Sequence, residues 1–234
     1  LYDVRGKHGL QEINRYPRAG DPNPEVSVGI VPVEGGVVVW AAFDPKDDQY
    51  FGTPFWRPDG SSLLVQWMPR EQNVLKLYDI DLITGKKEEI YNEIQPTWVV
   101  WIESLHWVKD GFMMIRDFDG WEQIYLHDSD GSLRQKLTSG RMWDTKIIRV
   151  DEKSQQVYFT SKGEISTRND FYRVGFNGKH QQRLTFGEYN HKNIMLSPDN
   201  RYFMTWYDNS STPTRLGLVN VKNGKIKVLG DLKD

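Results

Sequence analysis

Short runs of aromatic and β-branched residues alternate with clusters of Gly, Pro, Asn and Asp along almost the whole chain. Runs of this kind suit a pleated, half-buried surface and predict strands bounded by tight turns. No stretch sustains the i, i+3, i+4, i+7 apolar spacing of an amphipathic helix. The pattern predicts an all-β chain.

The strands recur with a period. Four segments read as a strand running into a Gly turn: Leu77–Lys86, Ile124–Ser132, Phe171–Lys179 and Leu216–Lys225. Their turn glycines, Gly85, Gly131, Gly178 and Gly224, stand 46, 47 and 46 residues apart. A second family of turns precedes them, at Arg57-Pro58-Asp59-Gly60, Val108-Lys109-Asp110-Gly111, Asp151-Glu152-Lys153-Ser154 and Ser197-Pro198-Asp199-Asn200. Each leads into a predicted strand: Leu63–Trp67, Phe112–Arg116, Val157–Ser161 and Tyr202–Tyr207. Two units close alike, on Leu137-Thr138-Ser139-Gly140 and Leu184-Thr185-Phe186-Gly187. A unit of about four short strands in roughly 40–50 residues cannot bury both its faces alone, whereas neighbours stacked radially can, which is the pattern of a β-propeller. The expected blades are about 51–95, 97–140, 142–187 and 190–234. They are read as part of a larger propeller.

Residues 1–50 break the period. The prolines of Tyr16-Pro17-Arg18-Ala19-Gly20-Asp21-Pro22-Asn23-Pro24 impose an extended, irregular path. Val26–Val33 and Val37–Phe43 then predict an apolar hairpin around Glu34-Gly35-Gly36. Two readings stand: strands of a partial N-terminal blade, or an arm packed on another subunit, because a large exposed apolar patch is unusual on a monomer.

Composition narrows the function. The 30 Lys and Arg nearly balance the 32 Asp and Glu, for a net charge of −2, so no basic excess offers a footprint for nucleic acid. The absence of cysteine excludes disulfides, thiolate metal sites and cysteine catalysis. No apolar run approaches the ~18–20 residues of a membrane span. No signal peptide is visible, and Leu1 is no initiator Met, so the chain is expected to be a piece of a longer protein.

Catalytic machinery is not apparent. A Gly-x-Ser-x-Gly elbow, which strains a serine onto a strand-to-helix turn, occurs nowhere. His8, His106, His127, His180 and His191 are scattered, without metal-ligand spacing. Asp117-Phe118-Asp119-Gly120 and Asp128-Ser129-Asp130-Gly131 lack the spacing that wraps calcium and read as Asx turns. Glu88-Glu89 falls on an outermost strand, unlike the facing carboxylates of a glycosidase. No Gly-rich phosphate cradle is present, and neither a cofactor nor a metal is expected. Asn209-Ser210-Ser211 matches a glycosylation sequon, meaningful only in a eukaryotic secreted protein.

Several segments carry a resemblance. Arg15-Tyr16-Pro17-Arg18-Ala19-Gly20-Asp21-Pro22-Asn23-Pro24-Glu25-Val26 resembles the YPKAG-x-x-NP-x-V segment of dipeptidyl peptidase IV-type serine exopeptidases. Leu64–Asn73 is similar to that family's QW-x-x-R-x-QN strand, and Asp119-Gly120-Trp121-Glu122-Gln123-Ile124-Tyr125-Leu126 to a later one. Leu137–Gly140 with Trp143-Asp144, and Leu196–Phe203, follow in the family's order.

The resemblance implies a non-catalytic fragment of the N-terminal propeller of such a peptidase. It implies a C-terminal α/β-hydrolase domain of the same protein, outside this chain, that removes N-terminal dipeptides from short peptides after a penultimate Pro or Ala. The propeller would gate and position those peptides. The family's glutamate pair for the substrate amino terminus has no match in residues 1–14. A substrate-side loop falls near Trp98–Leu105, making Trp101 and Glu103 candidates, with core packing the other role for Trp101. The dimerising arm falls on the Val26–Trp40 hairpin, making Val26, Val28, Ile30, Val37, Val39 and Trp40 candidates for a homodimer contact. A periplasmic or secreted location is implied by resemblance alone. The alternative is a free-standing protein-interaction propeller of TolB-like type, which leaves the Tyr-Pro segment unexplained; a carbohydrate-active propeller is disfavoured by the missing carboxylate pair.

Overall fold

The computed structural model describes residues 17–230 in full, with the backbone of Tyr2–Asp3, Leu10–Gln11 and Asp231. Every regular element among them is a strand. Tyr16 and the unmatched stretch 1–14 fall outside the fully described residues. The chain divides into two compact units, Leu1–Val100 and Trp101–Asp234.

In the first unit β1 (Tyr2–Asp3) pairs with β2 (Leu10–Gln11), and β3 (Gly29–Ile30) with β4 (Val39–Trp40). The hairpin ladder is therefore much shorter than the apolar run that predicted it. Pro32 has no N–H to extend it, and the chain turns at once, Gly35 N donating to Pro32 O at 2.9 Å. The main sheet is formed by β5 (Gln49–Phe51), β6 (Phe55–Trp56), β7 (Ser62–Pro69), β8 (Val74–Asp81) and β9 (Lys87–Ile94). Both β5 and β6 pair with β7, so the first strand of this blade is interrupted at Gly52-Thr53-Pro54. Gln66 bridges the interruption, its buried Nε2 donating to Thr53 O at 2.8 Å.

The hairpin lies on this sheet. Val28 and Ile30 pack against Ala41, Leu63, Val65 and Ile80, and Ala42 N donates to Gly85 O at 2.9 Å. Gly85 is required twice over. Its φ is +70°, and a Cβ there would meet Trp40 O at 2.1 Å.

The second unit holds three four-stranded antiparallel sheets, each in chain order. They are β10 (His106–Val108) to β13 (Leu133–Lys136), with β11 (Gly111–Arg116) and β12 (Gln123–Asp128) between; β14 (Trp143–Asp151), β15 (Gln156–Lys162), β16 (Asn169–Gly175) and β17 (Gln182–Arg183); and β18 (Asn190–Leu196), β19 (Tyr202–Asn209), β20 (Thr212–Asn220) and β21 (Ile226–Asp231). Consecutive sheets meet face to face. Met113, Ile124 and Leu126 of one pack on Val157, Phe159 and Val174 of the next. The opposite face of that second sheet, through Tyr158 and Phe171, packs on Leu196, Phe203 and Val219 of the third.

The recurring Leu-Thr closure has a physical cause. Thr138 Oγ1 accepts from the Ile124 amide at 2.9 Å and donates to Gln123 Oε1 at 2.7 Å. Thr185 Oγ1 repeats this one blade on, accepting from the Phe171 amide and donating to Asp170 Oδ1 at 2.6 Å. Where each outer strand leaves the sheet, a buried hydroxyl completes the hydrogen bonding of the strand beside it.

Candidate functional site

Interblade contacts define the two ends of the second unit. At one end the β10–β11 and β14–β15 turns are joined by the Lys109 amide donating to Glu152 Oε2 at 2.8 Å. At the same end Arg149 donates to Ser197 O at 2.6 Å and to Asn200 Oδ1 at 2.7 Å. The turns there are polar and self-satisfied: Asp128, Asp151, Asp199 and Asn220 each accept hydrogen bonds from residues of their own turn. Asp199 is held at a pKa of about 2 by bonds from Ser197 and then Arg201.

The other end collects the starts of β10, β12, β14, β16 and β18. Glu122 N donates to Met142 O at 2.9 Å and Thr145 N to Glu122 Oε2 at 2.6 Å, joining the first two sheets. Asn169 Nδ2 donates to His191 O at 3.0 Å, joining the second and third. This end carries exposed aromatic surface, with Phe118, Trp121 and Trp143 each keeping more than a third of their area in water. Arg141 lies over the Trp121 ring at 5.9 Å, and Lys162 over the Trp143 ring at 5.1 Å. Asp144 sits beside them at φ +50°, paired with both Lys162 at 3.0 Å and Lys146 at 3.1 Å. The Lys162 bond, reinforced by Lys146, holds its carboxyl below the ordinary value.

The segment entering β10 reaches the same end. Trp101 is half-buried, Ile102 is buried, and Glu103 is exposed. Beside Glu103, Ser104 Oγ stands 3.2 Å from His106 Nε2, and burial lowers the His106 pKa. The pair is no triad: among the described residues no carboxylate bonds that ring. Nor does any group of three or more His, Asp or Glu among them suit a metal ion. No helix among them is long and apolar enough to cross a membrane.

In the first unit the arm candidates divide by face. Val26, Val28, Ile30 and Val39 are half-buried, while Val37 and Trp40 are 86% and 60% exposed, alongside a fully exposed Val33. The Tyr-Pro segment is anchored nearby. Asn23 Nδ2 donates to Asp48 Oδ1 at 2.7 Å and to Tyr50 Oη at 2.8 Å. Arg70 donates to Asp48 Oδ2 at 3.1 Å and to Asp21 O at 3.1 Å.

The sequence reading missed the pairs Trp121–Arg141 and Trp143–Lys162, and it missed Asp48. Each joins residues from different turns or strands, and no local spacing marks them. The one signal in the sequence is that Trp121 and Trp143 lie close to the turn glycines Gly120 and Gly140.

Comparison with known proteins agrees with these observations. The sequence model of the family described as dipeptidyl peptidase IV (DPP IV) N-terminal region matches residues 3–214. A dipeptidyl peptidase 4 of Arthroderma otae is 27% identical over 223 residues, covering 90% of this chain and 28% of that protein. One from Trichophyton equinum is 28% identical over 173 residues, covering 69% of this chain and 22% of its own length. The crystal structure of Porphyromonas gingivalis dipeptidyl peptidase 4 superposes with a TM-score of 0.79 at 24% identity, over 99% of this chain and 33% of that one, a likeness of fold. The chain thus spans a third or less of these relatives. Its stacked four-stranded sheets are blades of a β-propeller, and the chain belongs to the family of dipeptidyl peptidase IV N-terminal regions.

Proposed function

We propose that this chain is the non-catalytic propeller part of a dipeptidyl peptidase IV-like serine peptidase. In this reading it gates and positions short peptides while a hydrolase domain elsewhere in the parent protein removes their N-terminal dipeptides. The carrying observation is the family match over residues 3–214. Further support comes from the Asp48 knot, which gives two of the family-like segments one shared structural purpose. The end bearing Trp101, Glu103, Trp121 and Trp143 is the peptide-facing one in this proposal, since it gathers the exposed Phe118, Trp121 and Trp143 rings, whereas Asp128, Asp151, Asp199 and Asn220 at the opposite end are bonded within their own turns. The exposed Val33, Val37 and Trp40 provide a homodimer contact. A periplasmic or secreted setting belongs to the same reading.

The test uses the full-length gene product, labelled with a fluorophosphonate serine-hydrolase probe and assayed on Xaa-Pro substrates. A labelled band about three times the mass of this chain that releases dipeptides is the expected result. An unlabelled full-length product without that activity overturns the reading and leaves a binding propeller.

A further inference from the structure

We propose that Trp121, Arg141, Trp143 and Lys162 form a strip that binds an extended acidic peptide through its carboxylate side chains. This deepens the function proposed above and rests on it for the peptide's role as substrate.

The first argument is placement. The bonds from Glu122 N to Met142 O and from Thr145 N to Glu122 Oε2 bring the turn before β12 against the start of β14. Both tryptophans therefore border one seam between two blades, with Arg141 beside it. The second is solvent exposure. Trp121 is 39% and Trp143 38% exposed, and aromatic faces left open at a built end suit stacking against a peptide.

The third is charge. Arg141 has no carboxylate within ion-pair distance among the described residues, while Lys146 and Lys162 share the single carboxylate of Asp144. The neighbouring acids are already occupied. Glu122 accepts from the Thr145 amide, and Asp119 is paired with Lys136 at 2.5 Å. A guanidinium over an indole face still presents N–H donors at its edge, in the geometry that takes a carboxylate by two bonds. A carboxylate-bearing peptide complements this seam, and a lysine-bearing one does not.

The experiment compares Ala-Pro-Gly-Glu-Gly-Glu with its Gln counterpart as substrates of the full-length protein. The Glu peptide is expected to show a kcat/KM about 5-fold higher, a preference that fades at high salt. Arg141→Gln should bring the Glu/Gln ratio to about one, whereas Lys153→Gln in an exposed turn at the opposite end should leave it unchanged. The ratio is internal to each variant, so partial loss of folding does not mimic the effect. A wild-type ratio near one, or a ratio that survives Arg141→Gln, overturns the proposal. So does an Arg141→Glu protein that loses its assembled fold in the full-length chain, which would make the strip a contact between domains.

If no Xaa-Pro substrate is cleaved, the peptidase reading fails separately. Tryptophan fluorescence then decides the strip: a change with the Glu peptide but not the Gln peptide, abolished by Arg141→Gln, supports it, and equal responses overturn it.

Discussion

Asn23 and Arg70 hold opposite oxygens of one carboxylate, that of Asp48, at 2.7 and 3.1 Å. The Pro-rich segment, which has few backbone donors of its own, is thereby fastened to the end of β7. Removing Asp48 should release the segment rather than unfold the sheet. Tryptic cleavage after the exposed Arg18 should accelerate about 3-fold or more in Asp48→Ala, as local opening becomes easier. An unchanged cleavage rate would show that the knot does not hold the segment.

The same knot predicts a response to acid. The bond from Arg70, then that from Asn23, keeps the Asp48 carboxyl below its usual pKa. Its contribution is therefore present above the unfolded carboxylate value and is lost as pH falls through the lower folded one. The melting temperatures of wild type and Asp48→Asn should differ at neutral pH and converge below about pH 4.

Thr138 and Thr185 should behave as a matched pair. Replacing either by Val keeps the shape but strands a buried amide, Ile124 N or Phe171 N. Each substitution should cost about 1–3 kcal/mol in urea denaturation, and Ser at the same site should recover most of it. A neutral Thr138→Val would mean that another partner satisfies the Ile124 amide.

His191 makes the third sheet sensitive to pH. The ring is fully buried among Phe186, Tyr189 and Tyr207. Its Nε2 donates to Phe186 O at 3.0 Å, which leaves Nδ1 to accept from Thr205 Oγ1 at 3.3 Å in the neutral ring. Burial lowers its pKa, outweighing the Phe186 bond and the carboxylates of Asp170 and Asp208. His127, stacked on Phe112, is lowered for the same reason. For a histidine shifted this way the unfolded state takes the proton first. Stability should fall as pH drops below about 6.5, by up to about 1.4 kcal/mol per pH unit for each such histidine. Urea midpoints between pH 8 and 5 test this, and His191→Gln should flatten the slope. A pH-independent wild type would sink the idea.

The hairpin offers a clean separation of surface from core. Val33→Lys with Val37→Lys alters only exposed side chains, so stability should stay within about 0.5 kcal/mol. If the hairpin is the subunit contact, light scattering should then report a monomer where the wild type is a dimer. Ile30→Lys is expected to differ, costing about 1–2 kcal/mol, because Ile30 packs on the Ala41, Leu63, Val65 and Ile80 cluster.

Much of the architecture was legible locally. A turn that needs positive φ demands Gly whatever surrounds it, and Gly85, Gly131, Gly178 and Gly224 all adopt such angles. The four strands predicted after the Arg57–Gly60 turn and its repeats lie within β7, β11, β15 and β19. Alternating apolar residues place one side of a strand inward by geometry alone, so the all-β class and its period could be read from residue order. The paired part of the Val26–Phe43 hairpin is shorter than its apolar run predicts, because an apolar run does not by itself specify pairing. Val28 and Ile30 find their burial against the neighbouring sheet while only two residues of each strand pair.

The chain's residue order thus determined where strands and turns form, since those choices rest on each residue's own φ preference and on a two-residue alternation. Only the tertiary structure decided which side chains from separate turns meet. Asp48 between Asn23 and Arg70, Arg141 over Trp121 and Lys162 over Trp143 depend on how turns and strands distant in sequence come together. Such contacts are set by packing across strands and sheets, and a recognition surface built from them leaves no periodic trace in the chain.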